Sequence, residues 1–193
     1  AGGFRGGVYE HVHTLDGSGG YRVFTARDSR PLIIFGNDPK TEISTQEVNM
    51  KQNRLERVIR GMEAMGLEQI IVSAPASVFY LTGTWERPGE RMLALYVHKS
   101  GEARLFANRL FALAGNVDAP LSEFDDTEDP IALLSQSVRP GTLGIDKSWP
   151  SHFTLRLMEA RKDVRCVVGS APVDDARMCK DEEEIALMRE SSL

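Results

Sequence analysis

From Met50 onward the sequence alternates short apolar or β-branched runs with stretches of helical period, and this alternation constrains the fold more than any single motif. Lys51–Met65 places Leu55, Val58, Ile59, Met62 and Met65 at helical spacing, and Gly66 stops the pattern. Gln69–Ser73 is a brief β-branched run of the kind that forms buried strands, and Ala76–Leu81 reads as a single helical turn ending at Thr82-Gly83. Arg91–His98 and Ala103–Ala107 flank Lys99-Ser100-Gly101-Glu102, which reads as a hairpin turn. An acidic loop, Glu123–Asp129, leads into Pro130–Val138, a helix with proline in its first turn. Leu143–Asp146 and Val164–Val168 are strands, separated by a helix over Ser151–Arg161 that Ser151 is placed to cap, with Phe153, Leu155, Leu157 and Met158 as its apolar residues. Strands and helices in this order predict an α/β domain, a mixed sheet layered with helices.

Residues 1–49 read differently. Gly2, Gly3, Gly6, Gly7, Gly17, Gly19 and Gly20 crowd the start, and no period is sustained there. Tyr21–Thr25 and Pro31–Phe35 have the form of a hairpin, which is marginal when isolated in water. Gln46-Glu47-Val48-Asn49 before Met50 can be encoded by a purine-rich run resembling a bacterial ribosome-binding site. The expectation is that 1–49 is upstream or appended sequence, or a disordered extension, with the native start at Met50. A coding sequence that lacks such a run would refute this reading.

Composition narrows the class further. A net charge of −5 argues against nucleic acid as the main partner, because phosphate binding needs a basic surface. No apolar run approaches the length of a membrane span, and the start has no compact apolar signal core. The two cysteines are Cys166, in an apolar strand-like run, and Cys179, at a helix entrance; without CxxC spacing they read as thiols in a reducing cytoplasm. The expected class is a soluble, cytoplasmic α/β domain.

Val173-Asp174 reads as an extended segment running through Arg177 and Lys180 into an acidic helix start at Asp181-Glu182-Glu183-Glu184. Carboxylates suit a helix N-terminus, where free N–H groups and the dipole favour negative charge. Ile185, Leu187 and Met188 follow, but so short a helix needs tertiary packing to be stable. Residues 177–193 are therefore expected to be a linker and the interrupted first helix of a further domain, after a domain spanning 50–176.

Chemistry is sparse. Residues 50–193 contain no GxSxG, HExxH, Walker loop or GxGxxG pattern. Glu10, His11 and His13 form the one tight histidine and acid cluster, but it lies in the N-terminal segment left out of the functional reading. His98 and His152 read as surface or capping residues, and Asp125, Asp126, Glu128 and Asp129 as a solvated acidic run. No catalytic residue and no metal ligand is assigned. The richest local feature is the loop between Gly83 and Gly89, where Tyr80, Trp85, Arg87 and Arg91 set aromatic rings beside guanidinium groups. Arginine suits bidentate carboxylate recognition, which makes these four candidate substrate or dimer contacts. The competing structural reading has Trp85 covering a core edge while the arginines pair with Glu86 and Glu90.

The ordered set Arg54-Leu55, Met65-Gly66-Leu67, Ile70-Ile71-Val72, Tyr80-Leu81-Thr82-Gly83, Pro88-Gly89-Glu90-Arg91-Met92-Leu93-Ala94-Leu95, Leu143-Gly144-Ile145-Asp146 and Val173 through Arg189 resembles the N-terminal domain of the creatinase/prolidase/aminopeptidase P family. The resemblance runs across nearly all of 54–189. It implies an RNase H-like α/β fold, a mixed sheet with flanking helices. It also implies a parent that is a Xaa-Pro dipeptidase or aminopeptidase, in which a C-terminal domain holds two divalent metals, Mn, Co or Zn, and activates a water. The catalytic domain would begin near Lys180–Leu193, so this chain is expected to be inactive by itself. The implied partners are a second copy in a homodimer and proline-containing peptides, with the loop after Tyr80-Leu81-Thr82-Gly83 helping to form the dimer contact and wall the active site. A creatinase-like hydrolase of another C–N bond, and a partner-binding module lacking the metal ligands, are the alternatives of the same fold.

Overall fold

A computed structural model describes residues 8–15, 19–26, 29–35 and 52–192, in two units, residues 1–45 and 46–193. The first unit is an antiparallel meander of β1 (Val8–Leu15), β2 (Gly19–Ala26) and β3 (Ser29–Phe35). The expected hairpin corresponds to β2 and β3, with Tyr21 opposite Phe35 and Val23 opposite Ile33. Glu10, His11 and His13 lie on β1, where only the backbone is described. Met50 lies outside the described residues.

The second unit is a six-stranded mixed sheet between two helical layers. Its helices are α1 (Gln52–Ala64), α2 (Pro75–Thr82), α3 (Pro130–Ser135), α4 (Ser151–Ala160), α5 (Ala171–Met178) and α6 (Glu182–Glu190). Its strands are β4 (Gln69–Val72), β5 (Leu93–His98), β6 (Ala103–Asn108), β7 (Leu121–Phe124), β8 (Gly141–Ile145) and β9 (Val164–Val168), in the order β7-β6-β5-β4-β8-β9. β4, β8 and β9 run parallel, β5 is antiparallel to both neighbours, and β7 is parallel to β6. β4 and β5 are buried along their whole length, so alternate residues feed two separate cores. Ile70, Val72, Leu93, Leu95 and Val97 pack with Leu55, Val58 and Met62 of α1, Val78 and Leu81 of α2, and Val173 of α5. Ile71, Tyr96 and Phe106 face the other way, onto Ile131 and Leu134 of α3 and Phe153 and Leu157 of α4. This is the mixed sheet with flanking helices that the alternation predicted.

Four local expectations are corrected. Leu121–Phe124, whose last two residues were assigned to an acidic loop, is an edge strand; four residues carrying Ser122 and Glu123 give too short a pattern to declare it. The Val173-Asp174 segment is helical rather than extended, because α5 begins at Ala171-Pro172 with Asp174 in its first turn, a favourable start for a helix. Ser151 is the first residue of α4 rather than its cap: Pro150 occupies the cap position and no side chain caps the helix. The Ala76–Leu81 turn is also longer than expected, an eight-residue α2 ended by Gly83 at φ 71°, whose N–H bonds to the Phe79 carbonyl.

Two contacts fix where the parallel strands meet the helices. Asp146, only 6% exposed, accepts hydrogen bonds from the amides of Ser73 (2.9 Å) and Ala74 (3.0 Å) on one carboxylate oxygen and from Ser148 (2.8 Å) on the other. The ends of β4 and β8 are thereby joined through one side chain. Beside it, the backbones at Gly144 and Gly169 nearly touch: a Cβ on Gly169 would lie 2.4 Å from the Gly144 Cα. Gly169→Ala is expected to cost about 3 kcal/mol, the upper part of the overpacking range, because the three nearest atoms all belong to the backbone. Asp146→Ala removes acceptors from buried amides and is expected to cost about 3 kcal/mol as well. Urea unfolding midpoints of the two variants check both expectations.

Candidate functional site

The four candidate residues separate into distinct environments. Tyr80 lies on the buried side of α2 and is 3% exposed. Its ring sits under the Arg54 guanidinium, 4.6 Å from the ring centroid, and its hydroxyl donates to the Ala176 carbonyl. Burial raises the Tyr80 pKa above its ordinary value, with Arg57 and Arg54 opposing the shift. Tyr80 is therefore a helix-packing residue, set apart from the exposed loop.

Trp85 is 53% exposed and meets Phe79, itself 45% exposed, edge to face at 5.9 Å. Phe79 carries this contact because it projects from the outer side of α2, whereas Val78 and Leu81 face the core. Arg87 is exposed beside the pair, and its backbone N–H donates to the Glu86 carboxylate at 2.9 Å. Thr84 fixes the start of the loop by donating to the Asn116 carbonyl.

Arg91 does not pair with Glu86 or Glu90. It forms a bidentate pair with Asp126, Nε to Oδ1 at 2.9 Å and Nη2 to Oδ2 at 2.7 Å, and Asn108 donates to the same Oδ1. The hydrogen bond from Arg91 holds the Asp126 carboxyl below its usual range, aided by Asn108. The acidic run is thus paired as well as solvated. Asp125 and Glu128 bind Arg109, while Asp129 both caps α3 and binds Arg156. Among the described residues no group of three or more His, Cys, Asp or Glu could hold a metal. Asp125, Asp126, Glu128 and Asp129 are each committed to an arginine rather than converging on a common cation site.

Sequence reasoning missed a polar centre at Arg54. This residue is 5% exposed, yet its Nε donates to Asp181 at 2.8 Å and its Nη1 to the Tyr80 carbonyl at 3.1 Å. Burial opposes its charge, but the bond to Asp181 and the charges of Asp181 and Glu184 outweigh that and hold its pKa above the usual arginine value. A signal was present: Arg54 shares the helical stripe of Val58 and Met62, where a cation is out of place without a partner. The acidic run at Asp181 was read only as a helix start; the structure makes Asp181 the cap, in a reciprocal capping box with Glu184.

Residues 54–179 match the creatinase/prolidase N-terminal domain. The chain belongs to that family. It is 23% identical over 149 residues to the "Putative dipeptidase YkvY" of Bacillus subtilis (strain 168), an alignment covering 72% of this chain and 41% of that protein. A dipeptidase from Pyrococcus horikoshii OT3 is 25% identical, with a TM-score of 0.62 over 70% of this chain and 39% of that one. The creatinase/prolidase N-terminal domain of an X-Pro dipeptidase from Streptococcus pyogenes is 20% identical, with a TM-score of 0.52 over 60% of this chain and 99% of the solved domain. The fold is therefore that of the N-terminal domain in prolidase- and dipeptidase-like proteins. The chain spans about two fifths of the length of the longer relatives, 41% and 39%. Among the described residues no helix is long and apolar enough to cross a membrane.

His98 is expected to give this domain a pH response. It is buried at the end of β5, where its Nδ1 accepts from the Ser100 backbone N–H at 3.1 Å and lies 2.8 Å from the Ser100 hydroxyl. Burial, followed by the charge of Arg139, lowers its pKa below 6.5. A depressed histidine pKa means that the unfolded chain binds the proton first, so the stability is present above about pH 6.5 and is lost as pH falls toward the folded value. His98→Asn keeps an acceptor near the Nδ1 position but cannot take up the charge. Between pH 7.5 and 5 the wild-type urea midpoint is expected to fall more steeply than that of the variant.

Proposed function

We propose that this chain is the non-catalytic N-terminal domain of a proline-specific metallopeptidase, a Xaa-Pro dipeptidase or aminopeptidase acting as a cytoplasmic homodimer. The match of residues 54–179 to the creatinase/prolidase N-terminal domain carries the reading. The catalytic metals, two divalent ions, would belong to the part of the relatives' length that this chain does not span. In this reading the domain contributes shape: the loop from Gly83 to Arg91 helps wall an active site and contributes to the dimer contact. Trp85 and Arg87 are its outward groups, and Arg91 anchors the end of the loop through Asp126. An exposed aromatic pair next to a guanidinium suits an apolar proline ring and a peptide carboxylate.

The test uses a full-length parent assayed with Xaa-Pro dipeptides and manganese. Turnover is expected from the parent and none from the 193-residue chain. Trp85→Ala in the parent is expected to raise KM about tenfold, equivalent to ~1.4 kcal/mol, with bound metal unchanged. Unaltered kinetics in a variant whose dimer is also intact would refute the walling role, and turnover of creatine in place of dipeptides would refute the peptidase reading.

A further inference from the structure

We infer that Arg54 is the pin of a clamped joint that fixes the heading of α6 relative to the sheet, and with it the direction in which the chain leaves the domain. The inference stands on geometry and is independent of the proposed peptidase activity. Arg54 belongs to α1 but serves three helices. Its Nη1 donates to the Tyr80 carbonyl in the last turn of α2, and its face lies over the Tyr80 ring. Its Nε donates to Oδ2 of Asp181, the residue that caps α6, and its Nη2 lies 3.9 Å from Glu184.

The carboxylate of Asp181 is shared between two tasks. Oδ1 accepts the Glu184 amide and starts the helix, while Oδ2 holds Arg54. Nucleation of α6 and its attachment to α1 are therefore one event. Two further bonds brace the approach to the joint: Arg57 donates to the Cys179 carbonyl at 3.2 Å, and Tyr80 to the Ala176 carbonyl at 3.2 Å.

The clamp matters because, among the described residues, little else holds α6. It is nine residues long, below the length at which a helix persists unaided in water. Its apolar residues are uncovered, with Ile185 38%, Leu187 59% and Met188 56% exposed. Hydrophobic burial thus contributes little to its order, and removing one partner of an ion pair whose arginine is buried costs more than removing one partner of a surface pair, because it leaves a buried charge uncompensated.

Amide hydrogen exchange on the whole 193-residue chain tests this. Asp181→Asn keeps a good cap acceptor and removes the charge that faces Arg54, so it weakens the clamp while sparing the cap. Amides of Ile185–Ser191 are expected to exchange about tenfold faster in Asp181→Asn and in Arg54→Gln, with β4 and β5 amides unchanged in Asp181→Asn. Trypsin is expected to cut sooner at Lys180 and Arg189 in both. Wild-type exchange of α6 in Asp181→Asn overturns the inference. So does an Arg54→Gln chain in which strand and α6 amides speed up alike while Asp181→Asn has no effect.

Discussion

The unit from residue 46 to 193 depends on one buried carboxylate. Asp146 directly follows β8, takes three backbone amides, and so joins the turn after β4 to the turn before α4. A parallel strand pair has no hairpin to set its register, and crossover connections leave the strand ends to find their own partners. Here the ends are matched by one side chain and by the near contact of Gly144 with Gly169. Once β4 and β8 are fixed, each face of the sheet has a definite set of positions for its helices. The two cores then follow from alternation along β4 and β5.

The candidate loop inherits its position from that frame. It leaves α2 at Gly83 and returns into β5, so both anchors belong to buried elements. At its far end Arg91 is held by Asp126, which follows edge strand β7. Phe79, on the outer side of α2, and Trp85, in the loop after it, are the aromatic residues left outside. Under the proposed function, this frame presents its exposed aromatic and cationic surface to a site that other residues complete.

How much was legible varied with the range of the interaction. Helix α1, the β5–β6 hairpin and the acidic start of α6 are local patterns, and each was readable from residues a few positions apart. The start of α5 also carried local signals, Pro172 and Asp174, but the valine and aspartate looked extended in isolation. Strand β7 was hidden because its pattern is only four residues long and half polar, and its existence depends on pairing with β6. Of the candidate site, the loop was found, but not the sorting within it. Tyr80 and Trp85 are aromatics five positions apart, but Tyr80 lies on the buried face of α2, under Arg54, whereas Trp85 follows the helix end at Gly83 and lies on the surface.

By itself the sequence determined the class of the domain, an α/β layering from Met50 onward, and the ordered motifs that resemble its family, because periodicity and capping act over a few residues. The tertiary structure decided the partners of its buried charges. Asp146 meets amides 73 and 72 positions away, and Arg54 meets Asp181 across 127 positions. A charge at a core-facing position announces that it must be compensated, since an unpaired ion is too costly to bury. It does not say by whom, because that depends on which distant segments the folded sheet brings together.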